Sequence, residues 1–189
     1  MFVKRMPTLG THRLILREFE LSDAPDVQRL AGDYSVADTT QNIPHPYPDG
    51  AAEDWIATHG LAFEAGDAAT FALVLRQEDA LVGTVGMRFD LRSDSAELGY
   101  WIGRPFWRHG YCTEAARAIL QYAFGELNLN RVHASHLLRN PASGRVMPKL
   151  GMTREGLRRE HAKKWGKYED LVDYGILQRE WRDRVRKSG

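Results

Sequence analysis

Apolar residues fall at every second place in some stretches and at every third or fourth in others, and the switches between these periods mark out the elements. His12 to Phe19 (HRLILREF) alternates Leu14 and Leu16 with polar neighbours, the pattern of a half-buried strand. Ser22 then stands as the cap of a helix carrying Val27, Leu30 and Ala31, which Gly32 ends. Asp33 to Gly50 is rich in Pro, Asn, Asp and Thr, and we expect a long irregular connection held extended by Pro44, Pro46 and Pro48. A helix follows around Ala51 to Ala65. Phe71 to Leu75 and Ala80 to Phe89 are β-rich runs on either side of the polar turn RQED, and LRSDS marks a second hairpin turn. In Ser95 to Ile102 (SAELGYWI), Ala96, Leu98, Tyr100 and Ile102 share one face, and Glu97, Gly99 and Trp101 the other.

Thr113 to Leu127 carries Ala116, Ile119, Leu120, Ala123 and Leu127 on a helical stripe, and Arg131 to Leu138 alternates as a strand, which makes a strand, helix, strand crossover. A short helix from Pro141 to Leu150 stops at Gly151; Pro148 should make its last turn irregular. Two last strands, around Glu155 to Lys163 and Asp170 to Leu177, are joined by the turn KWGKY. Hairpins first, one crossover in the middle and a closing hairpin describe an α+β (or α/β) fold, a mixed sheet with helices packed on its faces. No repeat interrupts the 189 residues, so we expect a single domain with its core from about residue 8 to residue 182.

Charge and composition remove several classes. The 26 Lys and Arg nearly cancel the 25 Asp and Glu, so no global field would draw in nucleic acid or an anionic membrane. No run of about eighteen apolar residues exists, and the first twenty residues lack the apolar middle of a secretion signal, which makes a cytoplasmic protein the expectation. Cys112 is the only cysteine, and the seven histidines form no helical pair beside a carboxylate, so no metal site is expected.

The chemistry concentrates in WIGRPFWRHGYCTEAARAIL, where a strand ends, a loop holds Gly103 and Gly110, and a strong helix begins near Thr113. Unpaired N–H groups at the helix start, the helix dipole and a glycine that lets the main chain come close suit an anion. Arg108 and His109 add donors, so a pyrophosphate would fit; a tight turn with ordinary surface charge is the other reading. Neither a Walker-type Gly-Lys-Ser/Thr ending nor a GxGxxG fingerprint is present.

That run resembles motif A of the GNAT N-acetyltransferases, Gln/Arg-x-x-Gly-x-Gly/Ala, with Trp107 at the first place, Gly110 at the central glycine and Cys112 at the last. AELGYWIGRPFWRHGYCTEA is similar to the form found in the Rim-type branch, which acetylates ribosomal-protein N-termini, with Arg108 where that branch has Gly. Downstream, NPASGRVMPKLGM resembles the branch's motif B, and Glu180 and Trp181 fit its ending. The resemblance implies a GNAT-like, mostly antiparallel twisted sheet with helices on both faces, and acetyl-CoA as co-substrate. It implies that the backbone of Trp101, Ile102 and Gly103 meets the pantetheine arm and that Arg108, His109, Gly110, Tyr111, Cys112 and Thr113 meet the pyrophosphate. Asn140 would touch the cofactor arm, with Ser143 near the departing sulfur.

Direct attack by an amine needs a proton acceptor and a group to meet the thiolate. Glu97, in phase with Trp101 and matching a base of parts of the family, is the candidate base. Ser143, or an ordered water, stands in on the thiolate side, because Met147 occupies the place of the family's usual tyrosine. An acetyl-cysteine at Cys112 is rejected for want of an adjacent base. The acceptor would enter between the long loop and the closing hairpin, past Tyr34, Asn42, His45, Tyr47 and Trp165. It would be a protein N-terminal amine or a small-molecule amine, and acids at Asp33, Asp38, Asp49 and Glu53 would favour a cationic small molecule. A homodimer is compatible with the family. The competing reading is a non-catalytic module that binds or senses acyl-CoA.

Overall fold

A computed structural model describes residues 5–188. Its eight strands are β1 (Leu9–Gly10), β2 (Leu14–Arg17), β3 (Ala68–Leu75), β4 (Leu81–Asp90), β5 (Ser95–Ile102), β6 (Arg131–Leu137), β7 (Thr153–Lys164) and β8 (Lys167–Leu177). The helices are α1 (Ala24–Ala31), α2 (Tyr34–Asp38), α3 (Ala51–Ala65), α4 (Tyr111–Gly125), α5 (Pro141–Gly144), α6 (Val146–Lys149) and α7 (Gln178–Ser188). The strands form one sheet in the order β1-β2-β3-β4-β5-β6-β8-β7. Every neighbouring pair is antiparallel except β5 and β6, which the α4 crossover makes parallel.

Alternation along β3 divides the core between two faces. Phe71 and Leu73 pack with Leu98 on β5 and with Ile119, Leu120 and Ala123 on α4, whereas Ala72 and Val74 pack with Val27 and Leu30 on α1 and Ile56 on α3. The parallel pairing of β5 and β6 covers only Ser95 to Glu97 against Arg131 to His133. Beyond it the strands part, and β6 continues to Leu137 against β8 alone.

The differences from the sequence expectations have local causes. Ser22 caps nothing: Leu21–Asp23 is a 3-10 turn, and α1 starts after Asp23, whose carboxylate accepts the Glu20 N–H at 2.9 Å and both Arg17 guanidinium nitrogens at 2.8 Å. The 33–50 connection contains α2, started by Asp33, which accepts the Ser35 N–H at 2.8 Å, so the connection is not irregular throughout; the His45–Pro46 peptide is cis. Helix α4 begins at Tyr111, two residues early, because Gly110 (φ 81°) already supplies the left-handed entry. The expected 141–150 helix is two short ones separated at Arg145; Pro148 has no N–H to return to Gly144, and the last turn closes through Leu150 N–H to Val146 O and Met147 O. Helix α7 was not foreseen. It buries Trp181 against Phe124 of α4, ring centroids 6.0 Å apart, and Gln178 Nε2 donates to Phe124 O.

Candidate active site

The anion-binding loop is built from both ends. On the strand side Gly103 N–H donates to Val82 O (2.8 Å), and the ladder's alternation turns Trp101 toward β4 as well. Only Ile102 faces the opened edge, and its carbonyl accepts the Trp107 indole N–H at 2.6 Å. So Trp101 and the Gly103 N–H are turned to β4, the Gly103 carbonyl accepts the Phe106 N–H (2.9 Å), and the tryptophan at the family's Gln/Arg place ties the loop back to the strand. On the helix side Arg108 (φ 67°) and Gly110 (φ 81°) take left-handed conformations that bring the exposed Arg108, His109 and Gly110 to the start of α4.

Arg13, on the loop entering β2, organises this segment. It donates from Nη1 to His109 O (2.9 Å) and from Nε to Glu114 Oε2 (2.7 Å), and its guanidinium lies 4.7 Å from the Tyr111 ring centroid. Tyr111 stacks on His109 at 5.4 Å. Glu114 also accepts from Thr11 Oγ1 (2.6 Å) and the Arg13 N–H (2.8 Å). Burial works against its charge, but these bonds and the Arg13 cation hold its carboxyl below the usual range, and the first helical turn favours the anion. Thr113 is half-buried on the same turn.

Ser143 lies where β5 and β6 diverge. Its N–H donates to Asn140 Oδ1 (3.2 Å), and its Oγ and carbonyl lie 3.1 and 3.2 Å from the Tyr100 hydroxyl. Asn140 spends its other end on Thr39 O (3.2 Å), so both halves of its amide serve the protein. Tyr100 was assigned to the core face from the alternation, and its ring does pack there, but its hydroxyl reaches across the opening to α5. Burial, with the nearby Cys112, pushes its pKa up, so it stays a neutral phenol that donates. Met147 is 1% exposed in the main core, which is why the family's tyrosine place offers no acid here. Burial pushes the Cys112 thiol up to about 12, leaving a protonated thiol at neutral pH and no nucleophile.

Glu97 stands at the last paired position of β5, opposite His133, with its Oε2 2.5 Å from Arg88 Nη2. At the acceptor side the structure joins Tyr34, His45 and Trp165, with ring centroids 5.2 to 6.0 Å apart. Asn42 is exposed on the same loop, whereas Tyr47 turns away into the apolar cluster beneath α1 and α3. Of the acids that would favour a cationic small molecule, Asp33 caps α2, Asp38 pairs with Arg139 (2.8 Å), Asp49 accepts from Gln28 (2.9 Å) and Glu53 is exposed on the first turn of α3. Arg139 also donates to Asp38 O and Glu169 Oε1, both at 2.8 Å, and Lys164 donates to Ile43 O, so the 33–50 segment is fastened to both β6's end and the closing hairpin. Arg13, Tyr100 and Arg139 escaped the sequence reading; a buried tyrosine's need for a partner was the one signal available.

Among the described residues no group of three or more His, Cys, Asp or Glu could hold a metal ion, and no helix is long and apolar enough to cross a membrane. A parted pair of parallel strands, a glycine-hinged helix start and a hydroxyl pair at the cleft define an acyl-CoA-dependent transferase, and the chain belongs to the GNAT acetyltransferase family: the family model "Acetyltransferase (GNAT) domain" matches residues 13–153. It is an acetyl-CoA-dependent acyltransferase, as the family and its named members are. The competing picture of a non-catalytic sensor has nothing comparable behind it. The chain is 35% identical over 179 residues to the uncharacterized N-acetyltransferase p20 of Bacillus licheniformis, covering 93% of this chain and 99% of that one. It is 28% identical over 189 residues to the [ribosomal protein uS5]-alanine N-acetyltransferase of Escherichia coli K12, covering 94% and 87%. A solved GNAT-family acetyltransferase from Bacillus anthracis superposes with a TM-score of 0.82 at 26% identity, covering 92% and 99%.

Proposed function

We propose that the chain works as one cytoplasmic N-acetyltransferase domain whose acceptor is the N-terminal α-amine of a polypeptide, attacking the thioester of acetyl-CoA directly. The observation that carries this reading is the state of the carboxylates. Glu97 is held by Arg88 and is about one-third exposed, and the acids of the 33–50 loop are tied to Ser35, Arg139 and Gln28. Every carboxyl whose pKa is displaced (Asp23, Asp33, Glu114, Glu155) is displaced downward. Among the described residues of the 33–50 loop, Asp33, Asp38 and Asp49 are thus partnered within the protein, which disfavours a polycation as acceptor. An α-amine ionises near 7.7 to 8.0, against about 10.4 for a lysine-type amine, so a usable fraction is neutral before any base acts. Glu97, directly or through water, then has only to accept the proton that the amine sheds as the new C–N bond forms.

The departing sulfur meets Ser143. The Tyr100 hydroxyl lies within hydrogen-bond distance of both Ser143 oxygens; when its one O–H turns to Ser143 Oγ, the serine's own hydrogen is left to point into the cleft. The phosphates lie against Arg108 through Thr113, and Ile102 is the edge residue along which the arm runs. The kinship with an enzyme named for acetylating the alanine of a ribosomal protein supports the acceptor class.

The test follows thiol release from acetyl-CoA with three acceptors: a peptide with a free N-terminus and no lysine, the same peptide N-terminally blocked but carrying lysine, and spermidine. We expect kcat/KM for the first to exceed the others by at least about tenfold near pH 7.5, where the neutral fractions differ by more than that. Preference for spermidine or for lysine would refute the acceptor, and binding of acetyl-CoA without release to any amine would refute the reaction.

A further inference from the structure

The near-cancellation of charge over the whole chain conceals a division. Residues 1–100 carry 8 Lys and Arg against 16 Asp and Glu, whereas residues 101–189 carry 18 against 9. The fold keeps the two parts apart, because the first supplies β1–β4, most of β5 and α1–α3, and the second supplies the other end of the sheet together with α4–α7. The molecule is acidic at one end and basic at the other, and a net charge of +1 does not report the field at the basic end.

Two rows of exposed cations stand out there. On α7, Trp181 is buried and, with Arg184 and Val185, lies on the side toward α4, whereas Arg179, Arg182 and Arg186, spaced i, i+3, i+7, form a stripe on the exposed remainder. On β7, the outermost strand of the sheet, Arg154, Arg159 and Lys163 are exposed, and Lys167 continues the row past the hairpin turn. Strand β7 starts beside the end of β8, with Thr153 opposite Gly175, and α7 leaves β8 three residues on, so the two rows meet at one corner. Among the described residues no ion pair reaches any of these side chains, although the acids Glu160 and Asp183 are exposed on the same elements. Arg186 in the last turn suits the helix dipole, but Arg179 in the first turn opposes it, and Arg182 and Arg186 repel each other at i, i+4. An external anion relieves both conflicts.

We propose that this corner docks the sugar–phosphate backbone of a nucleic acid, with the α7 stripe and the β7 row as its phosphate contacts. Guanidinium forks match phosphate oxygens two at a time. The exposed Tyr168, its ring centroid 5.4 Å from Lys163 Nζ, offers a ring on which a base can stack. A membrane surface fits less well, because the outward stripe of α7 carries no large apolar side chain to enter it. The stripe is turned away from the start of α4, and the inference does not rest on the acceptor argued above.

Fluorescence anisotropy tests it, with the full chain titrated at several salt concentrations into short single-stranded RNA, duplex RNA and duplex DNA, always at saturating acetyl-CoA so that the cofactor site is filled. At least one of the three should bind with a Kd of about 10 μM or below at low salt, and the logarithm of the affinity should fall linearly with the logarithm of salt. The variant Arg179→Gln/Arg182→Gln/Arg186→Gln should weaken binding at least about tenfold and lower the magnitude of the slope by about 2, since each lost phosphate contact removes about 0.7 to 0.9, while its affinity for acetyl-CoA and its peptide acetylation stay within about twofold. Should that variant melt below the wild type, Arg154→Gln/Arg159→Gln on β7 carries the same test, with the slope lowered by about 1.5. The strongest binder of the three identifies the nucleic acid. No binding to any of them, binding that both variants leave unchanged, binding seen only without acetyl-CoA, or equal binding to polyglutamate or to anionic vesicles would overturn the proposal and leave the acetyltransferase reading standing.

Discussion

His59 is the residue most at odds with its surroundings. It is 8% exposed on α3, packed 4.4 Å from the Trp55 ring and 5.3 Å from Phe19, and neither ring nitrogen has a hydrogen-bond partner. Burial pushes its pKa down to about 4, so the folded state keeps it neutral where the unfolded chain would take a proton. Its contribution is therefore complete above about 6.5 and lost as pH falls toward 4, for a total of roughly 3 kcal/mol. Replacing it with phenylalanine should flatten the decline in urea stability between pH 7.5 and 4.5 by about that amount and leave the neutral stability equal or higher. If the variant and the wild type declined in parallel, a neutral buried imidazole would be excluded.

The start of α4 is an element that another element holds in shape. Arg13 comes from the far edge of the sheet, 96 residues before the carbonyl it grips, and Tyr111 and Glu114 complete its seat. Arg13→Ala should therefore raise the Kd for acetyl-CoA by roughly tenfold, because the loop would have to be ordered on binding, while stability changes by no more than about 1 kcal/mol for so exposed a pair. Calorimetry beside thermal unfolding separates the two, and an unchanged Kd would show that Gly110 and Trp107 hold the loop unaided. Elements of this kind were legible from the sequence where one apolar stripe or one glycine decided them, as in α4 and β5. Helix α7 was not, because among the described side chains of QREWRDRVRKS only Trp181 is buried and the stripe is too thin to give a period. Strand β7 was placed two residues late at its start and one short at its end, its alternation being broken by irregular pairing at Arg154/Gly156 and Arg158/Ala162. The site's loop was readable; its partners Arg13, Tyr100 and Arg139 were not, since nothing local records a neighbour 30 to 101 residues away.

Across the molecule, cofactor side and acceptor side are joined at Arg139 and Asn140, which hold Asp38, Thr39 and Glu169 one residue pair away from α5. Arg139→Ala releases the 33–50 segment without touching the α4 loop, so KM for the peptide acceptor should rise about tenfold while the Kd for acetyl-CoA stays within about twofold. Steady-state rates with calorimetry decide it, and a matching rise in both constants would mean that the two sides are not separable. The narrowest point of the architecture is the join between β5 and β6, where three residue pairs carry the ladder from one half of the sheet to the other. A ligand lying in the gap beyond them stands where further strand pairing would be, and so works as part of the framework. Since binding to the folded state alone raises stability with the logarithm of ligand concentration, the number of intact molecules, and their lifetime against proteases, becomes a gauge of how well the surrounding metabolism is supplied with acetyl groups.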